Sequence, residues 1–210
     1  MLGEIIDKTT FDEVNETLKK DGIAMVDSEF TGLDVGSTGT DRLCLIQICD
    51  KNSQEIFLVQ PNEKYETPNL VKVLENPSVL KIFHYARFDI AVLRHFLKAN
   101  VQNIYCTKIA SKLARTFTDK HGLKDLCKEL LNIQISKKEQ TTDWGRSKLS
   151  LAQQKYAATD VLYLHKLKKE LDIMLKRENR LDLAQACFNF IKFRTDLDLE
   201  GWEDHDIFKH

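Results

Sequence analysis

The stretch LSLAQQKYAATDVLYLHKLKK, residues 149–169, has the pattern of one long helix. Ser150 is a favourable N-cap residue, and Gln153 three positions later completes a capping box. Beyond them, apolar residues recur at the spacing of a buried helical stripe: Leu164, Leu167, Leu171, Met174 and Leu175. The stretch therefore predicts a helix that packs one face against a core.

The same helical face carries a tyrosine and an aspartate. Extended toward the N-terminus, the stripe passes through Tyr156 and Asp160, which lie four residues apart. A carboxylate on a buried face is unfavourable unless it is paired or binds a metal. On this helix alone, an ion-paired Asp160 at the rim and an ordinary core tyrosine are the simpler interpretation.

Composition indicates an ordinary globular chain. Its 210 residues are 42% hydrophobic and 30% charged, with a formal net charge of −1. We expect one domain (residues 1–195) and a C-terminal tail (196–210). A near-neutral chain has no global basic field, so a polyanion must meet a local patch or metal ions.

Cysteine usage and the absence of apolar runs predict a cytoplasmic protein that does not contact membranes. The cysteines are odd in number, lie in apolar surroundings and form no C-x-x-C pair: Cys44, Cys49, Cys106, Cys127 and Cys187. The start, MLGEIIDKTTFDE, is acidic and lacks the regions of a signal peptide. No apolar run approaches the ~18 residues of a membrane span.

Periodicity predicts strands alternating with helices, followed by a mostly helical part. The predicted strands are a short edge strand at 4–7 and strands at 23–26, 43–49, 55–59, 79–83 and 103–105, of which 43–49 and 55–59 form a hairpin. The predicted helices are 10–20, 69–75, 86–99, 107–115, 122–131, 149–169 and 181–193. This order indicates an α/β domain with a mixed central sheet, helices on its faces and a helical C-terminal part.

Four acidic residues are placed where they could meet. Asp27 and Glu29 follow the first central strand and, at a period of two, point to one side of the sheet. Asp89 lies in the first turn of a helix after another strand, and Asp160 lies on the long helix. Each of these acidic motifs is a weak signal when it is taken alone. Together, four carboxylates from three elements could hold two Mg²⁺ or Mn²⁺ ions about 3.5–4 Å apart, an arrangement suited to hydrolysis of a phosphodiester.

These motifs resemble those of the DEDD 3′–5′ exonucleases, in the RNase D branch, which have an RNase H-like fold. Where the histidine subtype places its base, five residues before the last aspartate, this chain has Lys155. Tyr156 lies four residues before Asp160, so the chain resembles the tyrosine subtype (DEDDy). The context of Trp144, Ser150 and Gln153 is also similar to the third motif of RNase D.

Further segments resemble the nanoRNase C subfamily, stand-alone enzymes that degrade very short RNAs, down to dinucleotides. The segments are CTKIASKL (106–113), HGLK (121–124), DVLYLH (160–165) and the tail positions from Leu197 to Phe208. RNase D carries additional helical domains after its catalytic domain, and this chain ends too soon for them. The resemblance implies hydrolysis of short single-stranded RNA to nucleoside 5′-monophosphates.

The resemblance also implies roles for individual metal-site residues. Asp27 would bridge both ions, Glu29 and Asp160 would hold the ion beside the attacking water, and Asp89 would serve the second ion. Tyr156 would orient that water and help to deprotonate it. A free phenol has a pKa near 10, so the metal ions would do most of the activation.

Substrate contacts are predicted around these acids. By resemblance, Leu33 would wedge against the terminal base and His84 would contact the scissile phosphate or terminal sugar; a loop residue and a structural histidine are the alternatives. Phe30 and Ser28 stand where the family has threonines, which removes a hydroxyl near the terminal ribose at Phe30.

A basic segment offers a second set of contacts. Lys108, Lys112 and Arg115 are predicted on one helical face, where they would meet substrate phosphates or simply face solvent.

The C-terminal part is rich in large apolar residues, including Phe188, Phe193, Trp202 and Phe208. They could cap the core, but the resemblance to a subfamily of ring-shaped octamers favours a homo-oligomer interface. Two alternatives remain for the activity: RNase D-like trimming of longer structured RNA, or cleavage of DNA. A non-catalytic nucleic-acid-binding module on the same fold is the alternative from another class.

Overall fold

The computed structural model describes residues 18, 22–31, 42–50, 56–136, 138–140 and 142–209. The predicted edge strand 4–7 lies outside these residues, as does the predicted helix 10–20 except for Leu18, which is helical and fully buried. Among the described residues, no helix has both the length and the apolar character needed to cross a bilayer. The five cysteines form no disulfide bonds among the described residues.

The centre of the fold is a mixed sheet, as predicted, and it has five strands in the described part of the chain. Its strands are β1 (Ile23–Phe30), β2 (Leu43–Asp50), β3 (Ile56–Val59), β4 (Leu80–Phe83) and β5 (Ile104–Cys106). The order is β3-β2-β1-β4-β5, with β1 antiparallel to β2 and parallel to β4. β1 is therefore the central strand, and its first residues are buried in the core.

β1 is longer than the predicted strand 23–26. It continues to Phe30 because β2 pairs with it along this whole length, with Asp27 opposite Gln47 and Glu29 opposite Leu45. The two acids therefore belong to the strand itself. Strand pairing fixes their backbone positions and their shared face.

Seven helices surround the sheet in the described part of the chain. They are α1 (Pro68–Glu75), α2 (Ala86–Leu97), α3 (Thr107–Ala114), α4 (Leu123–Leu131), α5 (Leu151–Leu162), α6 (Leu164–Arg177) and α7 (Leu181–Leu197). α5 packs across β1, β2 and β3, whereas α6 packs against α3 and α4. Each predicted helix in this range other than 149–169 has a counterpart, with ends that differ by a few residues.

The prediction of one uninterrupted helix over 149–169 is wrong. The predicted capping box at Ser150 and Gln153 is present, but the helix ends at Leu162. Tyr163, at φ −103° and ψ −5°, separates α5 from α6. No glycine or proline marks the break. It follows from packing, because α5 must cross the sheet while the apolar stripe of α6 faces two other helices.

The last helix extends beyond the predicted 181–193 and ends at Leu197, followed by a turn at Asp198–Trp202 in which Gly201 has a positive φ of 90°. Charged contacts explain the extension. Arg87 at the start of α2 donates two hydrogen bonds to the Asp198 carboxylate, at 2.6 and 2.8 Å. Arg194 lies 3.1 Å from the same carboxylate. The C-terminal turn is thereby fastened to the helix that carries Asp89.

Candidate active site

Three of the four predicted carboxylates form one cluster. Asp27, Glu29 and Asp160 each offer an oxygen, and these oxygens all lie within 4.8 Å of one another. Alternation along β1 places Asp27 and Glu29 on the same face, and α5 crosses that face with Asp160 turned toward them. Sheet and helix together create the group.

Burial and mutual repulsion disfavour the charged forms of these acids. Burial, followed by repulsion from Asp89, Asp160 and Glu29, raises the pKa of Asp27 well above its usual value. Burial, followed by repulsion from Asp160 and Asp89, raises the pKa of Glu29 to about 9. A hydrogen bond from Gln47 opposes the shift at Glu29.

This cluster fits a hard divalent cation. Its donors are all carboxylate oxygens, the ligands that Mg²⁺ and Mn²⁺ prefer. A bound cation would relieve the repulsion that raises the pKa values of Asp27 and Glu29. Asp27, Glu29 and Asp160 are thus the residues that would hold it.

Asp89 stands apart from the three-carboxylate cluster. Its buried carboxylate accepts a 2.7 Å hydrogen bond from the hydroxyl of Ser28. Burial raises the pKa of Asp89 to about 7, although the bond from Ser28 lowers it. Asp89 is nevertheless close enough for its charge to raise the pKa of Asp27.

Tyr156 projects from α5 into the same region. Burial, followed by the charge of Asp160, raises the pKa of its hydroxyl above the usual value for tyrosine. Its ring lies 6.0 Å from the ring of buried Trp144, centroid to centroid. The phenol therefore stays protonated at neutral pH in a position fixed by packing.

The acids lie in a cleft of about 560 Å³. Its walls include aromatic, basic and small polar side chains as well as the acids: Phe30, His84, Tyr85, Phe88, Lys108, Leu123, Lys124, Ser136, Gln140 and Tyr156. The Lys108 ammonium lies 3.9 Å from the centroid of the Tyr85 ring. The ring of His84 is fixed by a 2.9 Å hydrogen bond between Nδ1 and the Thr107 hydroxyl.

Some of the predicted substrate-contacting residues line the cleft in the structure, and others do not. Phe30, His84 and Lys108 line the cleft. Lys112 is exposed and is not among the cleft-lining residues, and Leu33 lies outside the described residues.

The expected surface position of Arg115 is wrong. Its guanidinium is buried, forms an ion pair with Glu129 and donates to the Lys120 carbonyl at 2.8 Å. Arg115 directly follows the last residue of α3, where the backbone leaves the helical conformation (φ −120°, ψ 59°), and its side chain is buried in the protein. Arg115 therefore stabilises the fold through Glu129 and Lys120, where the sequence predicted a contact with a substrate phosphate.

Sequence reasoning missed three residues that contribute to the site. Gln47 donates to the carboxylates of Glu29 (3.2 Å) and Asp27 (3.5 Å). Tyr85 lines the cleft, and Ser28 holds Asp89. Gln47 stands inside the apolar run LCLIQIC, and one polar residue at an alternate position of a buried strand was the available signal.

Comparison with known proteins assigns this site to a class. The model of the 3′–5′ exonuclease family matches residues 4–176, so the chain belongs to the 3′–5′ exonuclease family. The predicted likeness to RNase D-like DEDD exonucleases is confirmed by relatives and by solved structures.

Curated relatives include RNA and DNA enzymes. Ribonuclease D of Gluconacetobacter diazotrophicus is 31% identical over 170 residues, which are 80% of this chain and 42% of the relative. DNA polymerase I of Aquifex aeolicus is 33% identical over 180 residues, covering 86% of this chain and 29% of the polymerase. The chain spans about two fifths of the length of the ribonuclease D relatives it matches.

Solved structures extend the likeness to more than nine tenths of the chain. Brucella melitensis NrnC bound to pGG is 46% identical, with a TM-score of 0.86 over 92% of each chain. A structure of the same protein with bound Mg²⁺ is 45% identical, with a TM-score of 0.85 over 92% of each chain. Escherichia coli RNase D has a TM-score of 0.82 over 93% of this chain and 51% of that chain. At 22% identity, that likeness supports the fold alone.

Proposed function

We propose that the protein is a metal-dependent 3′–5′ exoribonuclease that hydrolyses short RNA, down to dinucleotides, to nucleoside 5′-monophosphates. The observation that carries the proposal is the cluster of Asp27, Glu29 and Asp160 beside Tyr156 in one cleft. Membership of the 3′–5′ exonuclease family supports the reaction type.

Two observations favour a short substrate. The cleft of about 560 Å³ has the size of a small-ligand site, within the usual range of about 300–1,000 Å³. The solved structure of NrnC bound to pGG is 46% identical to this chain and matches 92% of each chain. DNA and longer structured RNA are the competing substrates.

The proposal includes two divalent ions, Mg²⁺ or Mn²⁺. Asp27, Glu29 and Asp160 would hold the first, and Asp27 and Asp89 would hold the second. When bound, such ions lower the pKa of water and stabilise the charge that develops on the leaving 3′ oxygen.

The side chains supply positioning. Because the Tyr156 hydroxyl stays protonated, it would act by hydrogen bonding to the attacking water and fixing its direction. Lys108 would attract a substrate phosphate, and His84 and Phe30 would contact the terminal nucleotide from the walls of the cleft.

Assembly and location belong to the same proposal. Large apolar side chains are exposed on α7 and in the tail: Phe190, Phe193, Trp202, Ile207 and Phe208. We propose that they form a homo-oligomer interface, a ring-shaped octamer by resemblance, with residues 1–195 as the exonuclease domain and 196–210 as a contact between subunits. Free, mostly buried cysteines favour a cytoplasmic location.

The test is turnover of 5′-labelled RNAs from two to about twenty nucleotides with Mg²⁺ or Mn²⁺. Asp27→Ala serves as the inactive control. Fastest cleavage of the dinucleotide, lost in the variant, is the expected result. Preference for long or structured RNA, or for DNA, would replace the short-RNA assignment. Absence of metal-dependent cleavage of every substrate would favour a non-catalytic binding module.

A further inference from the structure

Gln47 occupies an unusual position on the central sheet. It lies on β2 directly opposite Asp27, and its side chain is completely buried. Its amide nitrogen is 3.2 Å from Oε1 of Glu29 and 3.5 Å from Oδ2 of Asp27. One side chain thus bridges the two acids that alternate along β1.

The chemistry of an amide suits this bridge. The amide nitrogen of glutamine carries two N–H groups, enough to donate one hydrogen bond to each carboxylate. Because the amide is neutral, it orients the carboxylates without neutralising them. Their negative charge remains available for a cation.

The other end of the same amide is not satisfied. Oε1 of Gln47 is buried and has no hydrogen-bond partner among the residues that the structure describes. A buried carbonyl without a partner opposes folding, and an apolar side chain of similar length would avoid that penalty. This feature argues that Gln47 serves the site, since the fold alone would favour an apolar residue.

We propose that Gln47 is a positioning residue that holds Asp27 and Glu29 in the arrangement that receives a divalent cation, and so sets the affinity of the metal site. The inference rests on the proposed function in one respect, namely that these carboxylates bind metal. Outer hydrogen bonds to ligating carboxylates commonly change metal affinity or activity by about 10- to 100-fold.

The experiment is calorimetric titration of the intact protein with Mn²⁺ alone. Gln47→Met keeps the length of the side chain and removes both donors, so we expect its dissociation constant to rise about 10- to 100-fold. Leu45→Met is the matched control. Leu45 lies on the same strand and face, opposite Glu29, and is fully buried. This variant should bind Mn²⁺ as the wild type does.

Activity at increasing Mn²⁺ provides a second readout. Turnover by Gln47→Met should recover toward the wild-type value at saturating Mn²⁺, because mass action compensates for weaker binding. A general packing defect would not respond to the metal in this way. If Gln47→Met does not fold, Gln47→Asn keeps the amide but shortens its reach, and it should show the same weakened binding.

Asp27→Asn allows the proposed role of Gln47 to be tested separately from the proposed metal site. Binding of Mn²⁺ by the wild type but not by Asp27→Asn would support the metal site. If Gln47→Met then binds Mn²⁺ as tightly as the wild type, the proposed role of Gln47 is wrong while the metal site stands. Gln47→Asn takes the place of Gln47→Met in this comparison if Gln47→Met does not fold. If the wild type and Asp27→Asn bind Mn²⁺ equally, the proposed metal site itself fails.

Discussion

Ser28 donates a 2.7 Å hydrogen bond to Asp89 and thereby ties β1 to the first turn of α2. Ser28→Ala removes this donor, leaving the buried carboxylate harder to ionise and less well oriented. We expect kcat to fall by about 10-fold or more, as for other lost outer contacts of metal-binding groups. Ser28→Thr keeps a hydroxyl and should retain most of the activity. Equal kcat values for the two variants on a labelled dinucleotide would contradict this role.

Tyr156→Phe tests the orienting hydroxyl. The variant keeps the ring that packs near Trp144 and loses only the group hydrogen-bonded to Asp160. Groups that position or transfer protons contribute about 10²- to 10⁴-fold, so kcat should fall by about 10²-fold or more. The dissociation constant for Mn²⁺ should change little. Asp160→Asn is the comparison, because it should weaken Mn²⁺ binding itself. A Tyr156→Phe variant with wild-type kcat would exclude the proposed role.

Two lysines on one helix distinguish the cleft from the surface. Lys108 lines the cleft beside Tyr85, whereas Lys112, one turn further along α3, is exposed and is not among the cleft-lining residues. Lys108→Ala should raise KM for a dinucleotide by about 10-fold, equivalent to about 1.4 kcal/mol of lost phosphate contact. Lys112→Ala should leave KM within experimental error. Steady-state kinetics at saturating Mn²⁺ measures both KM values. If the two substitutions raise KM equally, the phosphate contact is not specific to Lys108.

Asp198→Asn tests the connection between the C-terminal turn and α2. The substitution weakens charge-assisted bonds from Arg87 and Arg194. Because the Arg87 side chain is 37% exposed, solvent screening limits the expected loss to about 1 kcal/mol of unfolding free energy. Glu178→Gln is the control, since its pair with Arg177 is more exposed. Urea unfolding should show a loss for the first variant only, and equal stabilities would argue against the connection.

Because Lys81 is buried, the free energy of unfolding should depend on pH. Burial lowers the pKa of Lys81 to about 7, from about 10.5 in the unfolded chain. Between these values the unfolded chain binds the proton and the folded chain does not, so unfolding free energy rises with pH across this window. Relative to Lys81→Met, the unfolding free energy of the wild type should rise by at most about 1.4 kcal/mol per pH unit between pH 7 and 10.

Chemical unfolding at pH 7, 8 and 9 checks this difference. Lys72→Met is the control, because Lys72 is exposed on α1. Its stability relative to the wild type should not vary with pH. A constant difference between the wild type and Lys81→Met would show that the buried amine keeps its proton.

The sequence by itself determined the mixed sheet, the order of its elements and the identity of the acids. Local physics is sufficient for these features. A period of two places Asp27 and Glu29 on one face, and the capping box fixes the start of the helix that carries Tyr156 and Asp160.

Tertiary structure decided the rest. The break at Tyr163 has no local signal, because it depends on the surfaces against which α5 and α6 pack. Arg115 carries the same charge as Lys108 but turns inward to Glu129 beyond the end of α3. Gln47 reaches the acids only because β2 pairs with β1 in a register that brings residues 20 and 18 positions apart into contact. Contacts between distant segments depend on packing and register, which a pattern read along one segment does not contain.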